Sequence, residues 1–237
     1  MKTSYHTSNN RIKVIIPAFN EENSIAHVIK EIPPIVDEVI VVSNNSTDNT
    51  EEVARAAGAT VLSENKKGYG HACLKGMEYI AGRTEKPDIV VFLDGDYSDY
   101  PEELTKIVQP IIEQNIDLVI GARKKELREK HSMTPQQIFG NWLAVNLMRL
   151  FFGARFSDLG PFRAIKYHQL LALEMEDKTY GWTVEMQLKA LRKKLIYTEI
   201  PVHYKKRIGV SKVSGTIKGT IFAAIKILGW IFKYSIK

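Results

Sequence analysis

The sequence predicts an α/β fold: a mostly parallel central sheet with helices on both faces, followed by a C-terminal amphipathic helix. Three observations predict it. Short β-branched runs recur through the first 123 residues, segments with helical spacing of apolar residues separate them, and the runs are apolar without alternation, as strands covered on both faces must be. The elements follow in order. Residues 12–17 form a run stopped by Pro17, and 21–32 read as a helix. A second run covers 37–43, and 47–58 is a helix closed by Gly58. A short strand at 60–62 leads to a glycine-led helix over 70–81. The fourth strand is 88–93, a helix with proline at its start covers 101–114, and the fifth strand is 117–120. In such sheets ligands sit beyond the carboxyl ends of the strands.

After Arg123 the rhythm changes. The charged stretch 124–130 reads as a mobile, solvated loop, 134–152 as a long apolar helix, 181–193 as another, and 195–200 as a strand ending at Pro201. The chain of 237 residues suffices for one sizeable core with an appendage, not for two full domains. With 44% hydrophobic and 25% charged residues it is neither disordered nor fibrous. The single cysteine, Cys73, is expected to pack in its helix; alone it closes no disulfide, which points to a reducing compartment, and without a CxxC pair a structural zinc site is not expected. No secretory leader and no spanning helix are expected, because residues 1–13 are polar and no uncharged apolar run is long enough.

The net charge of +6 sits in the tail. From Lys205 onward there are eight basic residues and no acidic one, which leaves 25 basic against 27 acidic residues before it. Nucleic-acid proteins spread Lys and Arg over a folded face, so no nucleic-acid partner is expected; a basic end with interleaved apolar residues fits an anionic membrane surface. On a helical wheel Lys218, Lys226, Lys233 and Lys237 fall within about 100° of one another. Ile221, Ile225, Ile227, Leu228, Ile231 and Phe232 fall mainly opposite, with Trp230 near the boundary. The expectation is a helix in the membrane interface, each lysine contributing about 1 kcal/mol at an anionic surface. The alternative is a helix docked on the protein itself or on a second subunit, which admits a homodimer.

Asp94-Gly95-Asp96 follows the apolar run directly. Two carboxylates at a strand's carboxyl end can hold Mg²⁺ or Mn²⁺ together with a nucleotide diphosphate, since such ions are bound through one or two carboxylates plus substrate oxygens. Asp-Gly is also a common turn pair, and its position after a buried strand favours the ligand reading. Gly68-Tyr69-Gly70 with Gly76 falls short of a dinucleotide fingerprint, because it follows the third strand and Cys73 takes the last glycine's place. The six histidines lack metal-ligand spacing.

Taken in order, the motifs resemble glycosyltransferase family 2. They are Ile15-Ile16-Pro17-Ala18-Phe19-Asn20-Glu21-Glu22, Val41-Val42-Ser43-Asn44-Asn45-Ser46-Thr47-Asp48, Phe92-Leu93-Asp94-Gly95-Asp96 and Gly121-Ala122-Arg123. Asp158-Leu159-Gly160-Pro161-Phe162-Arg163, Gly181-Trp182-Thr183-Val184-Glu185-Met186 and Arg207-Ile208-Gly209-Val210-Ser211-Lys212 resemble the dolichyl-phosphate mannose or glucose synthase branch. The resemblance covers about residues 11–215. It implies a GT-A fold, Rossmann-like in its nucleotide-sugar half (11–123), with an acceptor half (124–215) and then the amphipathic helix (216–237). It further implies an inverting metal-dependent hexosyltransferase, moving a sugar from a UDP-glucose or GDP-mannose type donor to a polyprenyl or dolichyl phosphate. The enzyme would be peripheral, on the cytoplasmic face of a membrane.

Residue by residue, Pro17, Ala18, Asn20 and Glu22 match the loop lining the base and ribose, and Asp94, Gly95 and Asp96 the metal and diphosphate motif. Asp158 matches an acidic residue on the acceptor side, while Arg123, Arg163, Arg207 and Lys212, with Ser211 beside it, match phosphate-holding positions. Ser43 and Asn44 stand where many members have two aspartates; Asn44 can both donate to and accept from a base edge. A phosphate monoester acceptor has a second pKa near 6 and needs no strong base. A hydroxyl acceptor would need one, and Asp158 is then the candidate, unless it only pairs with Arg163. A soluble enzyme with a small hydroxyl acceptor and a non-catalytic nucleotide-sugar-binding adaptor are the alternatives.

Overall fold

The structure, a computed structural model, describes residues 10–209 and 217–235. Seven strands form one sheet: β1 (Ile12–Ala18), β2 (Glu38–Ser43), β3 (Thr60–Ser63), β4 (Ile89–Phe92), β5 (Leu118–Ala122), β6 (Arg163–Lys166) and β7 (Tyr197–Pro201). Their order is β3-β2-β1-β4-β6-β5-β7, and every neighbouring pair is parallel except the two that β6 makes with β4 and β5. The central strands β4 and β5 are apolar throughout because both faces are covered: in β4, Val90 and Phe92 enter one core while Ile89 and Val91 enter the other.

The helices are α1 (Ile25–Glu31), α2 (Thr50–Ala56), α3 (Tyr69–Gly82), α4 (Leu104–Gln114), α5 (Pro135–Phe152), α6 (Tyr167–Ala172), α7 (Trp182–Arg192) and α8 (Ile217–Ser235). One core takes Ile25, Ala54 and Leu104 from α1, α2 and α4; the other takes Cys73, Met148, Trp182 and Trp230 from α3, α5, α7 and α8. α5 is the helix whose ends the sequence specifies most fully. Thr134 and Gln137 form a reciprocal capping box, Pro135 opens the first turn, and Gly153 closes the last in the left-handed region.

Three features differ from expectation. β6 and α6 have no counterpart in the sequence pattern, because a four-residue strand Arg-Ala-Ile-Lys carries no alternation and gains its burial from the neighbours on either side. The charged stretch 124–130 is an ordered turn, Lys125–Leu127, joined through Arg128 to Tyr204 by a backbone bridge. The tail helix docks on α5 and α7 through Trp230 and Ile231, with Ile227 and Tyr234 partly buried, so its apolar stripe is divided. Ile225 and Phe232 stay exposed, and Lys226 and Lys233 turn to Asp177 and Glu176. Lys218, Ile221 and Lys237 lie outside what the structure describes of side chains. Among the described residues no helix is long and apolar enough to cross a membrane.

Candidate active site

β1, β2 and β4 end at one edge of the sheet, and a cleft of about 270 Å³ opens there. Pro17 and Ala18 line it from β1, and Asp94, Gly95 and Asp96 from the segment after β4. The Tyr69 hydroxyl donates to Asp94 Oδ1 at 3.0 Å. Burial, and next the like charge of Asp96, push the Asp94 carboxyl up to about 7. Asp96 Oδ1 accepts from the Ser98 N–H at 2.9 Å and its hydroxyl at 2.5 Å. The other oxygen meets Arg207 Nη2 at 3.0 Å, and that nitrogen also lies 3.2 Å from Glu21 Oε1. Arg207, expected beside an acceptor phosphate, therefore belongs to this cleft, where its Nε is buried with no hydrogen-bond partner among the described residues.

The backbone around the cleft is strained. Tyr97 has φ 62°, a left-handed conformation that a bulky side chain rarely adopts. It is held by its hydroxyl on Glu31 and by Lys205, whose Nζ lies 3.2 Å from the ring centre. Asn20, also left-handed, accepts the Thr47 N–H at 2.8 Å, and Glu22 accepts from the Asn49 N–H and side-chain amide at 3.0 Å. These two tie the 19–22 and 46–50 loops together and do not line the cleft, contrary to expectation. Asn44 does line it, but its amide group is engaged: Nδ2 donates to the carbonyls of Lys66 and Glu64, and Oδ1 accepts the Gly68 N–H at 2.7 Å. It shapes the wall, with both Nδ2 hydrogens and one lone pair of Oδ1 taken up by the backbone.

Past Asn44, the turn at Lys67, Gly68 and Tyr69 forms a second wall, facing Tyr180. A Cβ at Gly70 would stand 2.0 Å from the Asp177 carbonyl oxygen, so glycine is required where the two segments meet. Asp99, just beyond the carboxylate pair, is 1% exposed and neither of its oxygens has a hydrogen-bond partner among the described residues. Burial, then the charges of Asp94 and Asp96, push it well above the usual carboxylate range.

Arg123, at the end of β5, and Asp158 form a buried bidentate pair: Nε to Oδ2 at 2.8 Å and Nη2 to Oδ1 at 2.6 Å, with the Arg123 N–H also on Oδ2. Burial opposes the Arg123 charge, and Asp158 more than compensates, holding it firmly cationic. Asp158 thus pairs with Arg123 and not with Arg163. Both of its oxygens are engaged, which leaves it poorly placed as a general base. Arg163 is wholly buried, its guanidinium donating to the carbonyls of Leu159, Gly160 and Thr183, with burial lowering its pKa to about 10. It braces the segment before β6 and lines neither of the two clefts. Ser211 and Lys212 lie outside the described residues.

The Arg123–Asp158 pair lines a second cleft, about 390 Å³, with Lys124, Lys125, Arg128 and Arg149 around it and Trp142 and Ile138 at its apolar side. None of these four cations was singled out by motif. The signal available was the charge run at 124–130, read as solvated surface. Tyr69, Lys67 and Tyr180 were also missed; the glycine pair flanking Tyr69 was the visible mark.

The seven-stranded sheet with helices on both faces and a cleft at its carboxyl edge defines a GT-A type fold. Within that class the chain belongs to glycosyltransferase family 2, whose family model matches residues 13–171. An uncharacterised glycosyltransferase of Mycobacterium tuberculosis is 32% identical over 217 residues, covering 90% of this chain and 94% of the relative. The undecaprenyl-phosphate mannosyltransferase of Micrococcus luteus is 28% identical over 233 residues, covering 93% of each. Among solved structures, glucosyl-3-phosphoglycerate synthase from Mycobacterium tuberculosis, in complex with Mn²⁺, UDP-glucose and phosphoglyceric acid, superposes with a TM-score of 0.76 at 22% identity. That match covers 95% of this chain and 80% of the other, and it establishes the fold.

Proposed function

We propose that this glycosyltransferase moves a hexose, with inversion, from a nucleotide diphosphate sugar in the acidic cleft to a polyprenyl phosphate in the basic cleft. The observation that carries the reading is the opposite sign of two clefts that approach each other at the sheet edge, Asp94 and Asp96 on one side and Arg123 on the other. The two carboxylates fit Mg²⁺ or Mn²⁺ by the chemistry of their donors. Burial and the charge of Asp96 raise the pKa of Asp94, and among the described residues no cluster of three ligating side chains could hold an ion unaided, so substrate oxygens would complete it. When bound, such an ion neutralises the leaving diphosphate. Arg207, which lines the same cleft, adds a second positive charge beside that diphosphate.

On the acceptor side the enzyme's own residues have mainly to hold an anion in line. A phosphate monoester is already ionised at neutral pH, its second pKa being about 6, so the locked state of Asp158 is no obstacle. Arg123, Lys125, Arg128 and Arg149 supply the positive charge. The lipid has a surface to follow. Trp142, which lines the basic cleft, is exposed and stacked on exposed Phe139; Leu150, 75% exposed, and Phe151 continue the same helix toward Phe232 of α8. An apolar ledge beside a basic cleft fits an anionic membrane surface. The Micrococcus luteus relative carries an undecaprenyl-phosphate acceptor in its name, in line with this assignment.

The test is transfer from labelled UDP-glucose and GDP-mannose with Mn²⁺, offering undecaprenyl phosphate in vesicles or a small phosphorylated hydroxy acid such as 3-phosphoglycerate. Label in the organic phase is expected. Label confined to a water-soluble product would overturn the lipid acceptor and favour the small-acceptor enzyme. Nucleotide-sugar binding with neither acceptor used would favour the adaptor.

A further inference from the structure

Trp230 and Asp177 join the C-terminal helix to the wall of the acidic cleft, a contact that the transfer chemistry does not use. Trp230 Nε1 donates to Asp177 Oδ2 at 2.6 Å. The other oxygen, Oδ1, accepts the N–H of Thr179 at 2.7 Å and of Gly181 at 3.1 Å. One carboxylate, 2% exposed, thus fixes both the helix and the 177–181 turn. Lys226 comes within 3.5 Å of the same Oδ2, and Lys233 pairs with Glu176 while lying 4.3 Å from the Trp230 ring centre. Gly181 is required by this contact: a Cβ there would stand 2.5 Å from Trp230 Nε1 and 2.6 Å from Asp177 Oδ2.

From the turn the path continues to the cleft. The carbonyls of Lys178 and Thr179 accept the N–H groups of His71 at 3.1 Å and Gly70 at 3.2 Å, which seats the turn on the first residues of α3. Tyr180 of the turn and Tyr69 of α3 both line the cleft, and Tyr69 donates to Asp94. Every link is a direct hydrogen bond or a neighbour in the chain, and no link passes through a long flexible side chain.

We propose that the Trp230–Asp177 contact is a latch through which α8 positions the Tyr69–Tyr180 wall, so that binding of a nucleotide diphosphate depends on how the tail helix is seated. Trp230 is a positioning residue: it does not line the cleft and acts through Asp177 and the turn. The identity of the ligand rests on the proposed donor reading; the mechanical link does not. If α8 lies at a membrane, the same latch makes donor affinity respond to membrane attachment.

The test uses the full chain and the variant Trp230→Phe, which keeps an aromatic ring and deletes the donor. Titration calorimetry with UDP and with GDP in the presence of Mn²⁺ is read beside the melting curve and hydrogen exchange at residues 68–71. For whichever nucleotide the wild type binds, Kd is expected to rise about ten-fold in the folded variant, with faster exchange at Gly70 and His71. Unchanged affinity and exchange would overturn the latch, whatever happens to the melting temperature, because a tryptophan that only fills space alters stability and not the affinity of the folded protein. Should Trp230→Phe fail to fold, the double variant Lys226→Ala/Lys233→Ala loosens the same helix from outside the core and must show the same direction. Wild type that binds neither nucleotide would overturn the donor reading and the latch together; wild type that binds, with a variant that binds equally well, overturns the latch alone.

Discussion

The two clefts differ in charge and in construction. The acidic one is built from segments that leave the ends of β1, β2 and β4, so Asp94 and Asp96 are placed by the strands themselves. The basic one is built from a turn, Lys125–Leu127, and from the outer face of α5, with only Arg123 fixed at a strand end. The difference teaches where accuracy is needed. A small, hard cation accepts little error in ligand geometry, whereas a cluster of long cationic side chains can adapt to the position of an anion.

Breaking the acidic side has the largest expected effect. Asp96→Asn should lower turnover by at least about 100-fold while leaving the melting temperature near that of wild type, and excess EDTA should do the same to the native enzyme. Full activity in EDTA would remove the metal from the account. Next comes the pair between the clefts. Arg123→Ala strands a buried carboxylate and should destabilise the fold by about 3–5 kcal/mol, in urea melts near pH 7. A double variant, Arg123→Met/Asp158→Leu, should recover much of that stability but none of the activity. Recovery of activity as well would reduce the pair to scaffolding.

The basic side should respond more mildly. Lys125→Ala/Arg128→Ala is expected to raise the apparent KM for the lipid acceptor by about ten-fold, with the nucleotide Kd unchanged. A loss of nucleotide affinity there would show that the clefts are not independent. The smallest effect concerns Asp117, which ties the acceptor-side strands together. Burial would raise its pKa, but the Ile196 N–H and Lys166 outweigh that and hold it below the ordinary value. A carboxylate lowered in the folded state stabilises above its unfolded pKa of about 4 and loses that contribution as pH falls through the folded value. Asp117→Asn should therefore cost about 1 kcal/mol at pH 6, and the gap to wild type should narrow as the pH falls below about 4; a constant gap would point to packing instead.

Strands β1, β2 and β4 were legible because they are largely buried on both faces and end in distinctive residues. Pro17, Ser43 and Asp94 mark three strand ends, and the cleft lies where those ends predict it. What could not be read is what long-range contacts decide. Arg163 reads as a phosphate ligand in its motif, yet Thr183, on a helix 20 residues later, draws it into the interior. Arg207 reads as an acceptor residue beside a basic tail, and only the fold brings it 3.0 Å from Asp96. Glu22 and Asn20 look like ligands because they lie in a recognisable loop, while their partners, Asn49 and Thr47, show that they shape it. The tail was half legible: its amphipathic pattern predicts a helix, but a pattern does not say which part of an apolar stripe a neighbouring helix will cover.

β6 runs against its two neighbours, and that reversal governs how the chain can be rebuilt. A strand that enters the sheet from the edge where β5 leaves it makes the intervening segment, from Arg123 to Phe162, an excursion that departs and returns on one side. Its two ends are already side by side, since the Gly121 N–H donates to the Phe162 carbonyl at 2.8 Å. Lengthening the turns within it costs little beyond loop closure, about 0.6 kcal/mol for each doubling of length, whereas exchanging α5 would also have to refill the core that Ala144 and Met148 occupy. The excursion is thereby a cassette that can be altered without cutting the hydrogen-bonded ladder of the sheet, provided that its buried face is kept.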